Sequence, residues 1–538
     1  MSKWENNQSR GFEMAQAFAQ GLEWEEYLVM NNQVALVKKE DVVRVATQYY
    51  GDNYLMFISK MGFPKKEKLE KPGFDPVIPK NEQMSTYYEQ WRQIKESPQK
   101  PKFVNVEEDI NKVKVNEMIT VYAAKNPFNE IFSAEIKWGV GTYAHPELKY
   151  VAEYLNLAGS EQYPATELKE ALYKLGCSYS FSANDKEFIL KLDGIEYNFP
   201  SAIAIIRGLI QQPLVDNQKV KKVQSDLAAT NKIMRREPSH IASALQQYVL
   251  YGENSSFLRD LPKSKIKKLT AQGLIDVFEI AKNYEITVFY TGKQKAENVG
   301  SALLGGFPMR QDIKPKTPTI VLDRNIPEEH TVCLVKKKKA VQSQLNFMIE
   351  GKQFNQDDIP AIEAFNEYFG GNMSSLVFQE IREFRSLAYA ASAHYRPARL
   401  AGKNNFFSGY IGCQGDKTIE ALEAMLVLIK DMPEKKEREE AIISALVQAS
   451  GAARPEFRDI LTTYEKWFDQ GYLADPNLKK IEVYPTLNFS NVKHVYENHI
   501  KGKNIYITVV GNKKTFKTKE LKKHGKLIKV REKKLFVN

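Results

Sequence analysis

Arg382 and Tyr389 stand seven residues apart, in a stretch (Asp357 to Tyr395) whose pattern changes from helix to strand between them. A guanidinium offers several N–H donors in a fixed fork and a phenol offers one O–H. Held side by side, such groups suit a peptide carbonyl or a developing oxyanion. Local signals indicate how they are held. Asp357 or Asp358 can cap a helix whose first turn holds Pro360. Ile362, Phe365 and Phe369 recur at helical spacing, and Gly370-Gly371 stops the helix. Asn372, Ser374 and Ser375 supply capping oxygens for a second helix, with Val377, Ile381 and Phe384 on one face. From Leu387 the period becomes two, so that Leu387, Tyr389, Ala391, Ala393 and Tyr395 share one face of a strand. Arg382 is therefore expected in the last turns of a helix and Tyr389 just inside the following strand.

The run from Gly370 to Tyr389, GGNMSSLVFQEIREFRSLAY, resembles the signature of the pitrilysin/insulinase zinc metallopeptidase family in its non-catalytic half. In that family an Arg and a Tyr at this spacing contact substrate backbone near the scissile bond, and the matching positions are Arg382 and Tyr389. The sequence departs from the family at Leu376, where Arg is frequent, and at Ser386 or Ala388, where Gly is frequent. The residues alone also allow Arg382 as a solvated helix residue and Tyr389 as a core tyrosine.

The resemblance implies a catalytic half carrying His-x-x-Glu-His on a helix, where two imidazoles bind zinc and the Glu activates water. No such motif occurs in the 538 residues. The equivalent helix reads HPELKYVAEYLNLAGSEQYP, and the motif positions fall on Tyr150, Glu153 and Tyr154, or, shifted by three, on Glu153, Asn156 and Leu157. Both imidazoles are missing in either register. The expectation is no catalytic residue, no metal and no cofactor in this chain, with zinc in a catalytic half outside it. His494 and His499 lie five residues apart, about 140° around a helix, and do not chelate one ion. The other histidines are scattered. No GxGxxG, Walker-type loop or GxSxG elbow is present.

A chain of this length needs more than one core. Its 43% hydrophobic and 27% charged residues are ordinary for a globular protein. No stretch approaches the ~20 apolar residues of a membrane span, and MSKWENNQSR shows no export signal. Cys177, Cys333 and Cys413 stand far apart and read as buried free thiols. The net charge of +11 is concentrated: residues 513–538 hold 11 Lys/Arg against 2 Asp/Glu, and Lys336 to Lys339 form a second run. Neither run is interleaved with aromatics, so a solvated basic face is expected and not nucleic-acid binding.

A helix–turn–strand pattern recurs at Lys39 to Lys60, Thr270 to Lys293 and Ser490 to Lys513, the last two copies ending on Gly292 and Gly511, 219 residues apart. That period signifies repeated domains rather than a solenoid. Residues 1–62 then read as the terminal piece of a preceding homologous domain, with one helix over Gly11 to Trp24, the closing helix and a strand. Residues 63–105, with six prolines, read as the linker between halves, with a short helix over Ser85 to Glu96. Residues 106–325 and 326–538 read as two whole domains, the first an inactive peptidase-like domain. Strands and helices mix without regular βα alternation, giving an α+β class in which each domain is an antiparallel sheet packed with helices.

The resemblance implies the non-catalytic, substrate-chamber half of a clamshell zinc metalloendopeptidase acting on peptides and unfolded proteins, inactive by itself. Its implied partners are a His-x-x-Glu-His catalytic half, joined upstream or separate, and peptide substrates. The alternative is a structural or binding subunit of the same fold without proteolytic role. The compartment is periplasmic if the full-length protein is an exported bacterial peptidase, and is otherwise not legible.

Overall fold

Alternation of apolar and polar residues fixes the strands: Phe188–Ile195 buries every second side chain and turns the others outward. A computed structural model describes residues 4–62, 85–94, 100–308 and 310–537. The chain divides into two compact units, Met1–Gln99 and Lys100–Asn538.

The second unit contains two six-stranded sheets. The first comprises β1 (Ile110–Lys114), β2 (Ile119–Lys125), β3 (Ile131–Trp138), β4 (Cys177–Ala183), β5 (Phe188–Ile195) and β6 (Ile286–Gly292), in the order β1-β2-β6-β3-β5-β4. The second comprises β7 (Thr331–Lys336), β8 (Gln342–Gln353), β9 (Ala388–Arg396), β10 (Asn404–Gln414), β11 (Tyr506–Gly511) and β12 (Lys526–Lys529), in the order β12-β7-β11-β8-β10-β9. The architecture is α+β, as expected. The two later copies of the sequence repeat land on equivalent places. β6 and β11 each lie third in their sheet, parallel to one neighbour (β2, β7) and antiparallel to the other (β3, β8). The helices Ala271–Ala281 and Phe489–His499 return the chain across the sheet, so the closing strand enters from the same end as its parallel neighbour.

The central strands are covered on both faces, which is why β6 is buried along its whole length. In the first core Trp138, Tyr150, Tyr154, Phe188 and Phe278 pack together. In the second, Phe347, Phe365, Tyr368, Phe369 and Tyr395 do so. The opposite faces are covered reciprocally. The helix Pro238–Tyr251 packs on Cys333, Val335, Met348 and Val510 of the second sheet. The helix Ile460–Asp469 packs on Ile110, Ala124 and Phe289 of the first. There Lys137, nearly fully buried, lies 3.3 Å from Glu465 and 3.7 Å above the Phe289 ring. The three cysteines are free and buried. Among the described residues no helix is long and apolar enough to cross a membrane.

The first unit departs from expectation in two ways. It holds three helices before residue 50, Asn7–Ala19, Trp24–Val34 and Lys39–Tyr49, where one helix besides the closing helix was expected. The expected strand after the closing helix does not form: residues 53–60 have no strand partner among the described residues, and Tyr54, Leu55, Met56, Phe57 and Ile58 are exposed. The β-prone sequence is present, but a strand needs neighbours to bond to, and its two later counterparts have one on each side. The linker helix is present as Thr86–Arg92, capped by Ser85. Most of the remaining linker lies outside the described residues.

Candidate functional site

Arg382 and Tyr389 are placed by a chain of local choices that starts at Gly370-Gly371. A Cβ on Gly370 would collide with the backbone of Ala393 in β9, so only glycine lets the end of the helix Ile359–Phe369 press against that strand. Asn366 ties the same helix to β9, its side chain accepting from Tyr395 N at 2.7 Å and donating to Tyr395 O at 3.0 Å. Asn372 then caps the next turn by accepting from Ser374 N at 2.7 Å.

The segment that follows is wider than an α-helix. Phe378–Glu383 is a π-helix, with Phe384 N donating to Gln379 O at 2.9 Å. The widened turn changes which residues face inward. Val377 and Ile381 are buried as expected, but Phe384 is rotated out and 64% exposed. Ser386 then takes φ 48°, uncommon for a residue with a Cβ, to redirect the chain into β9.

β9 is the edge strand of its sheet, and its pairing with β10 slips between Gly412 and Cys413, where Gly412 faces Ala390 and Cys413 faces Ala388. The slip leaves Tyr389 as the extra residue of a bulge. The expected common face is thereby broken: Leu387, Ala391, Ala393 and Tyr395 are buried, whereas Tyr389 is 80% exposed. The Arg382 guanidinium lies 4.9 Å from the Tyr389 ring centroid and 4.7 Å from that of Phe378. Its Nε is 3.3 Å from Glu383 Oε1, a half-exposed ion pair of little energetic weight. The structure thus brings the two sequence-predicted residues together on the surface, and sets Phe384 beside them in sequence as an exposed aromatic that the period did not foretell.

The positions matching the family's zinc ligands have a different chemistry. Tyr150 and Tyr154 are fully buried on the helix Leu148–Leu155. Tyr150 donates to Asp260 at 2.8 Å and Tyr154 to Leu214 O at 2.5 Å, while Glu153 is exposed. Burial, reinforced for Tyr150 by Asp260, raises both phenol pKa values. In the shifted register, Asn156 exchanges hydrogen bonds with the backbone of Phe181. Neither set fits a zinc ion, since protonated phenols pointed at other acceptors supply no ligand. No group of three metal-ligating side chains lies among the described residues. His499 is buried and its Nδ1 is 2.9 Å from Tyr395 Oη, while His494 is exposed beside Asn498.

With this geometry in view, residues 283–444 match the family model for the Peptidase M16 inactive domain. A zinc protease of Bacillus subtilis, YmxG, is 29% identical over 104 residues, which is 19% of this chain and 25% of that protein. A zinc protease of Rickettsia bellii is 23% identical over 350 residues, 62% of this chain and 81% of that protein. Among solved structures, the peptidase M16 inactive domain from Pseudomonas fluorescens superposes with TM-score 0.60 at 15% identity, over 75% of this chain and 98% of that one. The periplasmic protease PqqL from Escherichia coli superposes with TM-score 0.56 at 15% identity, over 90% of this chain and 52% of that one. This chain therefore spans a quarter of the first relative and about half of the PqqL chain.

Proposed function

We propose, because this chain belongs to the M16 (pitrilysin/insulinase) family of zinc metallopeptidases and carries its inactive domain, that it forms the substrate-facing half of a two-half metalloendopeptidase acting on peptides and unfolded polypeptides. The observation that carries the reading is the pair of half-buried Arg382 and exposed Tyr389, held against one another at the start of an edge strand. In this role Arg382 donates to a substrate carbonyl and Tyr389 fixes the guanidinium and adds its own O–H. Zinc and the water-activating Glu belong to the catalytic half, which is the chain's main partner.

The first unit supports the need for that partner. Its helix Lys39–Tyr49 has no buried residue, and the β-prone segment after it stands exposed, whereas both later copies of this unit are buried in a complete sheet. Residues 1–62 are assigned here to a domain completed by the catalytic half, 63–105 to the linker, and 106–325 and 326–538 to the two inactive domains.

The test is reconstitution. A His-x-x-Glu-His half is co-expressed with, or fused to, this chain, and cleavage of a fluorogenic peptide is measured. Cleavage is expected only when both halves are present. Full cleavage by the catalytic half alone would favour the structural-subunit alternative, and cleavage by this chain alone would refute the proposal.

A further inference from the structure

The fold merges the two basic runs that are far apart in sequence. β12, β7 and β11 are adjacent and mutually parallel, so all three finish at one end of the second sheet. Lys336 to Lys339 leave the end of β7. Lys513 and Lys514 leave the end of β11, where Lys337 N donates to Gly511 O at 2.8 Å. Arg531, Lys533 and Lys534 follow β12, where Val530 N donates to Leu334 O at 2.9 Å. Neighbouring strands are about 4.8 Å apart, so the three exits crowd into a patch about 10 Å across at its base.

The three stretches 336–339, 512–514 and 531–534 hold nine cations and one carboxylate, Glu532, a net of +8 against +11 for the whole chain. Glu532 is already engaged: Lys337 Nζ lies 3.2 Å from each of its carboxylate oxygens and donates to Arg235 O at 2.8 Å, clipping the exits together. The other eight cations are exposed. Such an unbalanced patch is self-repelling, and protein surfaces ordinarily intersperse the two signs. Outside these stretches the chain is close to balanced, with 68 Lys/Arg against 65 Asp/Glu.

We propose that this end of the second sheet is a docking surface for acidic polypeptide segments. Lysine dominates the patch, which suits clustered carboxylates without fixed geometry rather than bidentate recognition of one group. The aromatic residues nearest in sequence, Phe516 and Phe536, are buried, so no stacking platform for bases accompanies the cations. Choosing a polypeptide among polyanions rests on the peptidase-family reading. The patch itself is independent of Arg382 and Tyr389 and is assayed by equilibrium binding, so either proposal can fail without the other.

The test is fluorescence anisotropy of the full chain with labelled dodeca-glutamate, dodeca-lysine and a single-stranded oligonucleotide of similar length. Dodeca-glutamate is expected to bind, dodeca-lysine not, and salt raised from about 50 to about 500 mM should weaken binding at least about tenfold. Lys338→Glu with Lys339→Glu should weaken it at least tenfold. Lys513→Glu with Lys514→Glu, from a loop far away in sequence, should do the same. Lys169→Glu with Lys174→Glu, on the helix Ala165–Lys174 of the first sheet, changes the net charge equally and should have little effect. Equal loss in that control, no loss in either patch variant, or an oligonucleotide binding tenfold more tightly than dodeca-glutamate would each overturn the proposal.

Discussion

The Arg382 guanidinium rests 4.9 Å from the centre of the Tyr389 ring, across a turn that contains a π-helix and a serine at positive φ. A cation–π contact at an exposed site contributes only about 0.5–1 kcal/mol, so the contact does not by itself justify this backbone. The π-turn, the positive φ and the strand bulge each cost free energy, and together they keep two polar side chains at the surface.

The support for this geometry begins with Gly370. A methyl group there meets the Ala393 backbone, which cannot move without disturbing β9. Gly370→Ala should destabilise the protein by about 1–3 kcal/mol. Gly305→Ala, at a helix end with φ −68° and open space around it, should be nearly neutral. Chemical denaturation of the two variants checks this, and equal stabilities would show that β9 does not need the close approach.

The buried His499 gives the second core a pH dependence. Its pKa lies below the ordinary histidine value because burial penalises the charged ring and Lys352 adds repulsion. Tyr395 Oη accepts from Lys352 N at 3.0 Å, which leaves its O–H to donate to the neutral His499 Nδ1. The unfolded chain takes up a proton near pH 6.5 that the folded chain resists. The associated stability is thus present above about pH 6.5 and is lost as the pH falls below it. Stability should drop between pH 7 and pH 5, and His499→Gln should shrink that drop without abolishing it, because His240 and His394 shift in the same direction. An unchanged drop in the variant would remove His499 from the account.

The segment Tyr54–Lys60 should report on the partner. In the isolated chain its backbone amides should exchange with solvent at least about a hundredfold faster than those of Ile286–Gly292, its buried counterpart. In the assembled enzyme the two should become comparable. Rapid exchange that persists after assembly would show that the catalytic half does not complete this domain.

Much of this was legible in the sequence because the signals were local and periodic. The helix stop at Gly370-Gly371, the strand after Leu387 and the repeat ending on Gly292 and Gly511 all appear in the structure. What could not be read depended on contacts between distant segments. The helix Pro238–Tyr251 covers the second sheet although it belongs to the chain between β5 and β6, and no local pattern encodes that exchange. Phe384 and Tyr389 are more instructive. Period placed Phe384 on one face with Val377 and Ile381, and Tyr389 on one face with Leu387 and Ala391. Those neighbours are buried and these two are exposed, because a π-turn and a bulge each shift the register by one residue. The departures fall at the candidate site, where local regularity gives way to the placement of particular side chains. Residues 54–60 failed differently: the β-prone sequence is there, and the neighbours that would make it a strand are not among the described residues.

The most direct measurement is peptide turnover by the assembled two-half enzyme carrying Arg382→Ala or Tyr389→Phe, alongside the melting temperature of each variant. Removing a charged hydrogen-bond donor costs about 1.5–3 kcal/mol, so Arg382→Ala should lower kcat/KM roughly tenfold to a hundredfold with little change in melting. Tyr389→Phe keeps the ring beneath Arg382 and removes only the hydroxyl, and should lower it by a smaller factor. Full activity in both variants would contradict the substrate-contact role and leave only the family and the fold.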